Sequence, residues 1–221
     1  MKVIGINASP KGDKSRTLEL VNATLNGVKS EGADVKCLDV YQYTIQYCTD
    51  CGVCYSKGEC ILDDDFSNLF DEMMDADGIV LGSPNYIDSV SAPMKAMFDR
   101  MADAIHCQMF FKKFGCSVCT GGGSYEEVVR YMNKVLTTLG VTVVGGVGVA
   151  IGSNPSALEP AKKQAFELGQ KLAQSIRGEH MFQEQDEIHA KTREYFCDLI
   201  KFNKEKFAHE YDWYVRMGWM K

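Results

Sequence analysis

Short apolar runs alternate five times along this chain with segments whose apolar residues recur at every third or fourth position. In the first such segment Leu18, Val21, Leu25 and Val28 share one helix face, and Gly32 is a natural stop. The apolar runs predict strands at residues 2–6, 34–40, 76–82, 114–119 and 141–151. The periodic segments predict helices at residues 15–31, 63–74, 91–104, 125–139 and 160–177.

Regular alternation of strands and helices predicts an α/β fold, because parallel strands need a crossover helix between them. We therefore expect one domain at residues 1–178, a five-stranded parallel sheet with helices on both faces. The pattern changes near residue 180. Residues 184–209 are charged and helical in pattern, and residues 211–219 are rich in aromatics. We expect this extension, residues 179–221, to pack on its own subunit's sheet edge or to form an oligomer contact or lid.

Polar loops follow three of the predicted strands, at the sheet edge where open α/β sheets bind ligands. The first loop offers hydroxyl groups, cations and free amides at the start of a helix, which together suit a phosphate. It matches neither a dinucleotide nor an ATP-binding fingerprint. The residues predicted to bind phosphate are Ser9, Lys11, Ser15, Arg16 and Thr17.

The second and third loops complete a mononucleotide site. The second can offer amides and an aromatic edge to a flat ring through Pro84, Asn85, Tyr86 and Ile87. The third contains three successive glycines, which allow a ligand to approach the backbone closely. Its residues are Thr120, Gly121, Gly122, Gly123 and Ser124.

Four of the nine cysteines fall within thirteen residues, in a long connection whose cysteine loop is residues 44–62. Cys48, Cys51, Cys54 and Cys60 have the spacing C-x2-C-x2-C-x5-C, close to that of bacterial ferredoxins. The residues alone leave open a zinc site, a redox disulfide or unligated loop thiols. We expect the other five to be buried structural thiols: Cys37, Cys107, Cys116, Cys119 and Cys197.

Charge narrows the choice of partners. The formal net charge is −6 and the basic residues are scattered, which argues against nucleic acid as the main partner. The longest nearly apolar segment, residues 141–151, is too short to span a bilayer, and we expect a cytoplasmic protein. The four histidines are isolated, and we expect surface or structural roles for them. Asp63, Asp64 and Asp65 are expected to cap a helix, and Lys95, Asp99 and Arg100 to stabilise one.

Taken together, these motifs resemble the flavodoxin-like NADPH-dependent FMN reductase superfamily over residues 1–178. The resemblance rests on Asn7-x-Ser9-Pro10 with Ser15-x-Thr17, on Ser83-Pro84-x-Tyr86 with the following Ser91–Arg100 segment, and on the glycine loop. The cysteine spacing further resembles the iron–sulfur flavoproteins of archaea and bacteria.

The resemblance implies a flavodoxin-like three-layer sandwich with FMN as the redox catalyst and a [4Fe–4S] cluster on the four clustered cysteines. It also implies a homodimer or homotetramer. The expected activity is electron transfer between the cluster, or a ferredoxin or NAD(P)H donor, and a small acceptor such as quinone, oxygen or peroxide. The alternatives are a flavin-only NAD(P)H-dependent reductase with vestigial cysteines, a flavodoxin-like carrier, or a zinc-stabilised binding module.

Overall fold

The computed structural model describes residues 1–220 and has a five-stranded, fully parallel sheet with strand order β2-β1-β3-β4-β5. This order confirms the predicted α/β class and the flavodoxin-like arrangement. The chain places β2 on one side of β1 and then β3, β4 and β5 on the other side. The loops that follow β1 and β3 therefore leave in opposite directions, and a crevice lies between them. The strands are β1 Lys2–Asn7, β2 Asp34–Asp39, β3 Gly78–Pro84, β4 Phe114–Gly121 and β5 Thr142–Ala150.

Helices cover both faces of the sheet and bury two separate cores. One core lies between the sheet and helices α1 and α7. The other lies between the sheet and helices α3 to α6. The helices are α1 Arg16–Ser30, α2 Val53–Lys57, α3 Phe66–Met74, α4 Ala92–Asp99, α5 Ala102–His106, α6 Tyr125–Thr138, α7 Leu158–Ile176, α8 Gln183–Phe202 and α9 Ala208–Arg216.

Helix α1 begins where the polar loop after β1 ends, and its start is fixed by a side-chain cap. Ser15 is fully buried, and its hydroxyl accepts a hydrogen bond from the Leu18 amide at 3.0 Å. Such a cap satisfies one of the amides that the first turn of a helix leaves unpaired. Helix α1 also packs closely on α7, where a Cβ added at Gly169 would lie 1.9 Å from the Thr24 carbonyl oxygen.

Three predicted segments are subdivided in the structure. The long connection contains the short helix α2, bounded by Gly52 and Gly58, which both adopt left-handed backbone conformations. The helix predicted over residues 91–104 is two helices, α4 and α5, broken at Arg100–Met101. The extension likewise forms two helices rather than one. The apolar periodicity of the sequence does not reveal such breaks, because the apolar face continues from one helix to the next.

The role expected for the three aspartates was wrong in part. Asp65 precedes α3 but makes no capping hydrogen bond, and its carboxylate accepts instead from the Thr44 amide at 2.7 Å. Asp64 accepts from the Phe66 amide at 3.1 Å and also pairs with Arg100. Asp64 therefore holds the cysteine loop as well as the helix start, whereas the Asp65 carboxylate holds the loop alone.

Four of the five cysteines predicted to be buried are buried, but Cys37 is exposed. It lies on β2, an edge strand with exposed positions on its outer part. An apolar alternation predicts a strand without showing whether a helix covers that part of it. All nine cysteines in residues 1–220 are free thiols.

The extension packs on its own chain through a small aromatic core. Tyr214 is fully buried and donates a hydrogen bond to the His106 carbonyl at 2.9 Å. Trp219 packs edge-on against Tyr214 and Phe111. The aromatic tail is therefore anchored to the turn after α5. Within residues 1–220, the helices are all too short or too polar to cross a bilayer.

Candidate functional site

A cavity of about 270 Å³ lies at the carboxyl ends of the strands, in the crevice beside β1 and β3. Three chain segments predicted from sequence form its wall, and the turn after β5 closes it. The lining residues are Ser9, Lys11, Arg16, Thr17, Pro84, Asn85, Tyr86, Thr120, Gly121, Gly122, Ile151 and Gly152.

One end of this cavity is built to hold an anion. Arg16 and Thr17 are the first two residues of α1, and their amides have no backbone acceptor among the described residues. Helix starts carry partial positive charge, and Lys11 and Arg16 add two exposed cations. Ser15 lies beneath this end, not in the wall, because its hydroxyl caps the helix.

The middle of the wall is a sharp turn after β3. Ile87 and Asp88 both have positive φ, 54° and 56°, and the turn is closed by hydrogen bonds between Tyr86 and Ser89. This turn presents the half-exposed Tyr86 ring to the cavity. It leaves Ile87 fully exposed and outside the wall.

The third loop is fastened to the first two. The hydroxyl groups of Thr17 and Thr120 lie 2.7 Å apart in a buried hydrogen bond. The Asn85 amide donates to the Gly123 carbonyl at 2.5 Å, and its Oδ1 is buried with no hydrogen-bond partner among residues 1–220. Gly123 and Ser124 therefore support the site from outside the cavity wall.

Two lining residues were missed by the sequence analysis. Ile151 and Gly152 follow β5, and the Ile151 amide donates to the Gly121 carbonyl at 2.9 Å. They are at the same carboxyl edge as the other loops. Applying the strand-end rule to the fifth strand would have included them.

The donor set of this cavity suits a flavin mononucleotide. Free helix-start amides and two cations match the phosphate, while Pro84, Tyr86 and glycine backbone offer flat apolar surface to a ring. The buried Asn85 Oδ1 can accept a hydrogen bond from a ligand in this cavity.

A second cavity, of about 260 Å³, is lined by all four clustered cysteines. Cys48 and Cys51 are exposed, whereas Cys54 on α2 and Cys60 after it are half-buried. Positive φ angles at Asp50, Gly52 and Gly58 turn the chain back on itself. The chain thus wraps one space with four thiols. Asp99, Arg100 and Ala102, where α4 gives way to α5, form the opposite wall.

The chemistry of this second cavity suits a soft-metal cluster more than a single ion. No three of the four sulfurs lie together within 4.8 Å, in the part of the chain that the structure describes. A tetrahedral zinc ion would need them close together, whereas a cubane places each thiolate on a different iron. Burial, with Asp103 and Cys60 nearby, raises the pKa of the Cys54 thiol to about 11.

The extension covers one side of the cysteine loop. Tyr55 on α2 stacks on His106 with ring centroids 4.9 Å apart and contacts Phe207 at 4.8 Å. A Cβ added at Gly58 would lie 2.6 Å from the His209 ring. Burial raises the pKa of Tyr55 to about 12, so this ring stays neutral. Apolar cover of this kind limits water access to whatever the loop holds.

Two histidines that looked isolated in sequence make side-chain contacts with carboxylates beneath the loop. His106 Nδ1 lies 2.9 Å from Glu210 Oε1, and His209 Nδ1 lies 3.3 Å from Asp103 Oδ1. Buried Cys107 lies beside Asp103 at 3.9 Å. These pairs join α5 to α9, which gives the histidines the structural role expected for them.

Comparison with known proteins identifies the family. The model of the NADPH-dependent FMN reductase family matches residues 1–155. The chain belongs to this family. Its cofactor is therefore FMN, in keeping with the fit of the first cavity, and the protein is an FMN-dependent oxidoreductase.

Two similar proteins are iron–sulfur flavoproteins. An iron–sulfur flavoprotein of Archaeoglobus fulgidus is 32% identical over the full length of both chains. One of Methanocaldococcus jannaschii is 31% identical and covers 80% of this chain and 98% of its own. The solved NAD(P)H:quinone oxidoreductase of Methanothermobacter marburgensis shares the fold. Its TM-score is 0.64, at 18% identity, over 82% of this chain and 98% of that one.

Proposed function

We propose that this oxidoreductase carries a [4Fe–4S] cluster on Cys48, Cys51, Cys54 and Cys60 and passes electrons between that cluster and FMN. The carrying observation is that all four thiols line one cavity, on a chain with a separate FMN-type cavity. The donor is reduced ferredoxin or NAD(P)H, and the acceptor is a small molecule such as quinone, oxygen or peroxide.

In this proposal the first cavity holds FMN by its phosphate and its ring. The amides of Arg16 and Thr17, the Ser9 hydroxyl and the Lys11 and Arg16 side chains hold the phosphate. Pro84, Asn85 and Tyr86 support one side of the ring, and the Thr120–Gly122 backbone supports the other. Ser15 and Ser124 act from behind, since each precedes a helix and positions a binding loop.

The second cavity holds the cluster with four thiolates and excludes water on its inner side through Tyr55 and the extension. When bound, FMN exchanges one or two electrons and the cluster exchanges one, so the pair can match a one-electron donor to a two-electron acceptor. Helix α4 begins after the second FMN loop and ends at the cysteine cavity. Its eight residues span about 12 Å.

We also propose that the protein works as a homodimer or homotetramer. Ile87 is fully exposed and Tyr86 is 43% exposed at the mouth of the FMN cavity. Exposed apolar side chains beside a cofactor site favour cover by a second copy. Size-exclusion chromatography with light scattering on the FMN-loaded protein tests this, and a monomer would contradict it.

The ligand assignment is tested by Cys51→Ser, with Cys37→Ser as the matched control. Cys37 is also an exposed thiol but lies on β2, away from the loop. Loss of one of four thiolate ligands should remove most of the iron, while FMN stays bound in its own cavity. Iron, sulfide and FMN are assayed on the same anaerobically purified samples.

Cys37→Ser should keep about four irons per chain, the number that a cubane requires. Equal iron content in the two variants would show that Cys51 is not a ligand of the cluster. Wild-type protein with FMN and no iron would instead indicate a flavin-only NAD(P)H-dependent reductase.

A further inference from the structure

Arg100 holds both ends of the cysteine loop. Its guanidinium donates to both Asp64 carboxylate oxygens, at 2.6 and 3.2 Å, and to the Gln46 carbonyl at 3.0 Å. Gln46 lies two residues before the first clustered cysteine, and Asp64 lies four residues after the last. The Gln46 amide also donates to Asp64, at 2.8 Å. One side chain from the end of α4 therefore closes the loop that carries all four thiols.

This ion pair is buried, and one of its donors is free. The Arg100 and Asp64 side chains are 1% and 2% exposed. The guanidinium lies over the Phe66 ring at 4.6 Å. Its Nε is buried and has no hydrogen-bond partner within residues 1–220. An unpaired buried donor is costly, and a charged one more so, which indicates that a ligand satisfies it.

Arg100 also lies in the wall of the cysteine cavity. It lines that space together with Cys60. Its guanidinium stays protonated, because arginine is not deprotonated in proteins. Arg100 is therefore a fixed cation beside the loop. Four thiolates gathered in one cavity repel one another, and a nearby buried cation offsets part of that cost.

We propose that Arg100 is a positioning residue for the iron–sulfur cluster, closing the cysteine loop and donating its free Nε–H to sulfur of the bound cluster. This inference rests on the proposed function. Hydrogen bonds to the sulfurs and local charge are among the factors that set a cluster's potential. Asp64 balances the guanidinium charge, so the free Nε–H is the group that favours the more negative, reduced state, and through it Arg100 raises the potential of the cluster.

The test is Arg100→Lys, which keeps the charge but removes Nε and the planar fork. The midpoint potential of the cluster is measured by redox titration monitored by electron paramagnetic resonance, on anaerobically purified, FMN-containing protein. The expected result is a more negative potential and a lower iron content. A tenfold change in the oxidised-to-reduced ratio corresponds to about 59 mV for this one-electron couple.

Arg193→Lys is the matched control. Arg193 is a half-buried arginine that is also stacked on aromatic rings, Phe111 and Trp219, but its side chain has no hydrogen bond to the cysteine loop. It should leave the potential and the iron content unchanged. FMN content serves as the measure of folding in every variant, because the FMN cavity is separate.

An unchanged potential in Arg100→Lys overturns the inference, whether or not some iron is lost, because a purely structural residue would act on occupancy alone. If Arg100→Lys holds no iron, Asp64→Asn replaces it. That variant loosens the same loop but keeps Arg100, and it should hold iron with no fall in potential. A fall would overturn the inference. Absence of iron from the wild type would instead overturn the proposed function, and this inference with it.

Discussion

Gly121 occupies a position in the FMN cavity that has no room for a side chain. A Cβ there would lie 2.8 Å from the Asn85 Cβ and 3.1 Å from the Gly123 carbonyl oxygen. Asn85 joins the second loop to the third through its hydrogen bond to Gly123. The glycine is therefore required by the contact between two loops of the proposed FMN site.

We predict that Gly121→Ala weakens FMN binding about tenfold, because overpacking typically costs about 1–3 kcal/mol and here would separate the two loops. The control is Gly123→Ala in the same loop, where an added Cβ meets nothing within 4 Å. The dissociation constants are measured by flavin fluorescence quenching on reconstituted apoprotein. Equal affinities for the two variants would mean that the loop contact does not shape the site.

At the residue scale, the sequence predicted roles that depend on local order and missed those that depend on distant pairing. The polar loop after β1 was readable from its neighbours, and Lys11, Arg16 and Thr17 at the end of it line one cavity. Arg100 and Asp64 are 36 residues apart and flank different helices, α4 and α3. Nothing periodic links two such positions, and only the folded chain brings them together.

At the scale of elements, α9 packs against the cysteine loop, where Gly58 lies beside His209. The Asp103–His209 and His106–Glu210 pairs connect it to α5. The hydrogen bond to Asp103 raises the pKa of His209. Burial raises the pKa of Glu210. Both shifts favour the protonated form of the folded protein.

The sign of the pH dependence follows from these shifts. A histidine whose pKa is raised by folding contributes stability that is fully present below its unfolded pKa of about 6.5 and is lost as pH rises through the folded value. The raised pKa of Glu210 has the same sign. We therefore predict that α9 is held most firmly at mildly acidic pH.

His209→Asn should lower the free energy of unfolding by about 1.5–3 kcal/mol at pH 6, the usual range for a hydrogen bond to a charged group, and by much less at pH 9. The measurement is thermal unfolding of wild type and variant across that range. His180→Asn is the control, since His180 is exposed and pairs only weakly, at 3.5 Å from Gln174. A deficit that stays constant with pH would show that the ion pair is not what titrates.

At the scale of the whole molecule, the chain carries a cavity at the strand ends and a cavity lined by the cysteines. The walls of the first cavity were predicted from the sequence, because they follow from the order of strands and loops. The alternating apolar runs predicted the sheet, and the loops at its carboxyl edge were then predicted to bind FMN. The extension's packing on the cysteine loop could not be predicted. It depends on Tyr55 meeting Phe207, a contact across 152 positions between segments with no common pattern.

The presence of two redox centres on one chain is tested most directly by an ultraviolet–visible spectrum of anaerobically purified protein, with iron, sulfide and FMN assayed on the same sample. We predict flavin bands with a broad visible shoulder, one FMN and about four irons per chain. Flavin bands without iron or sulfide would contradict the two-centre function and leave the cysteine loop without its proposed ligand.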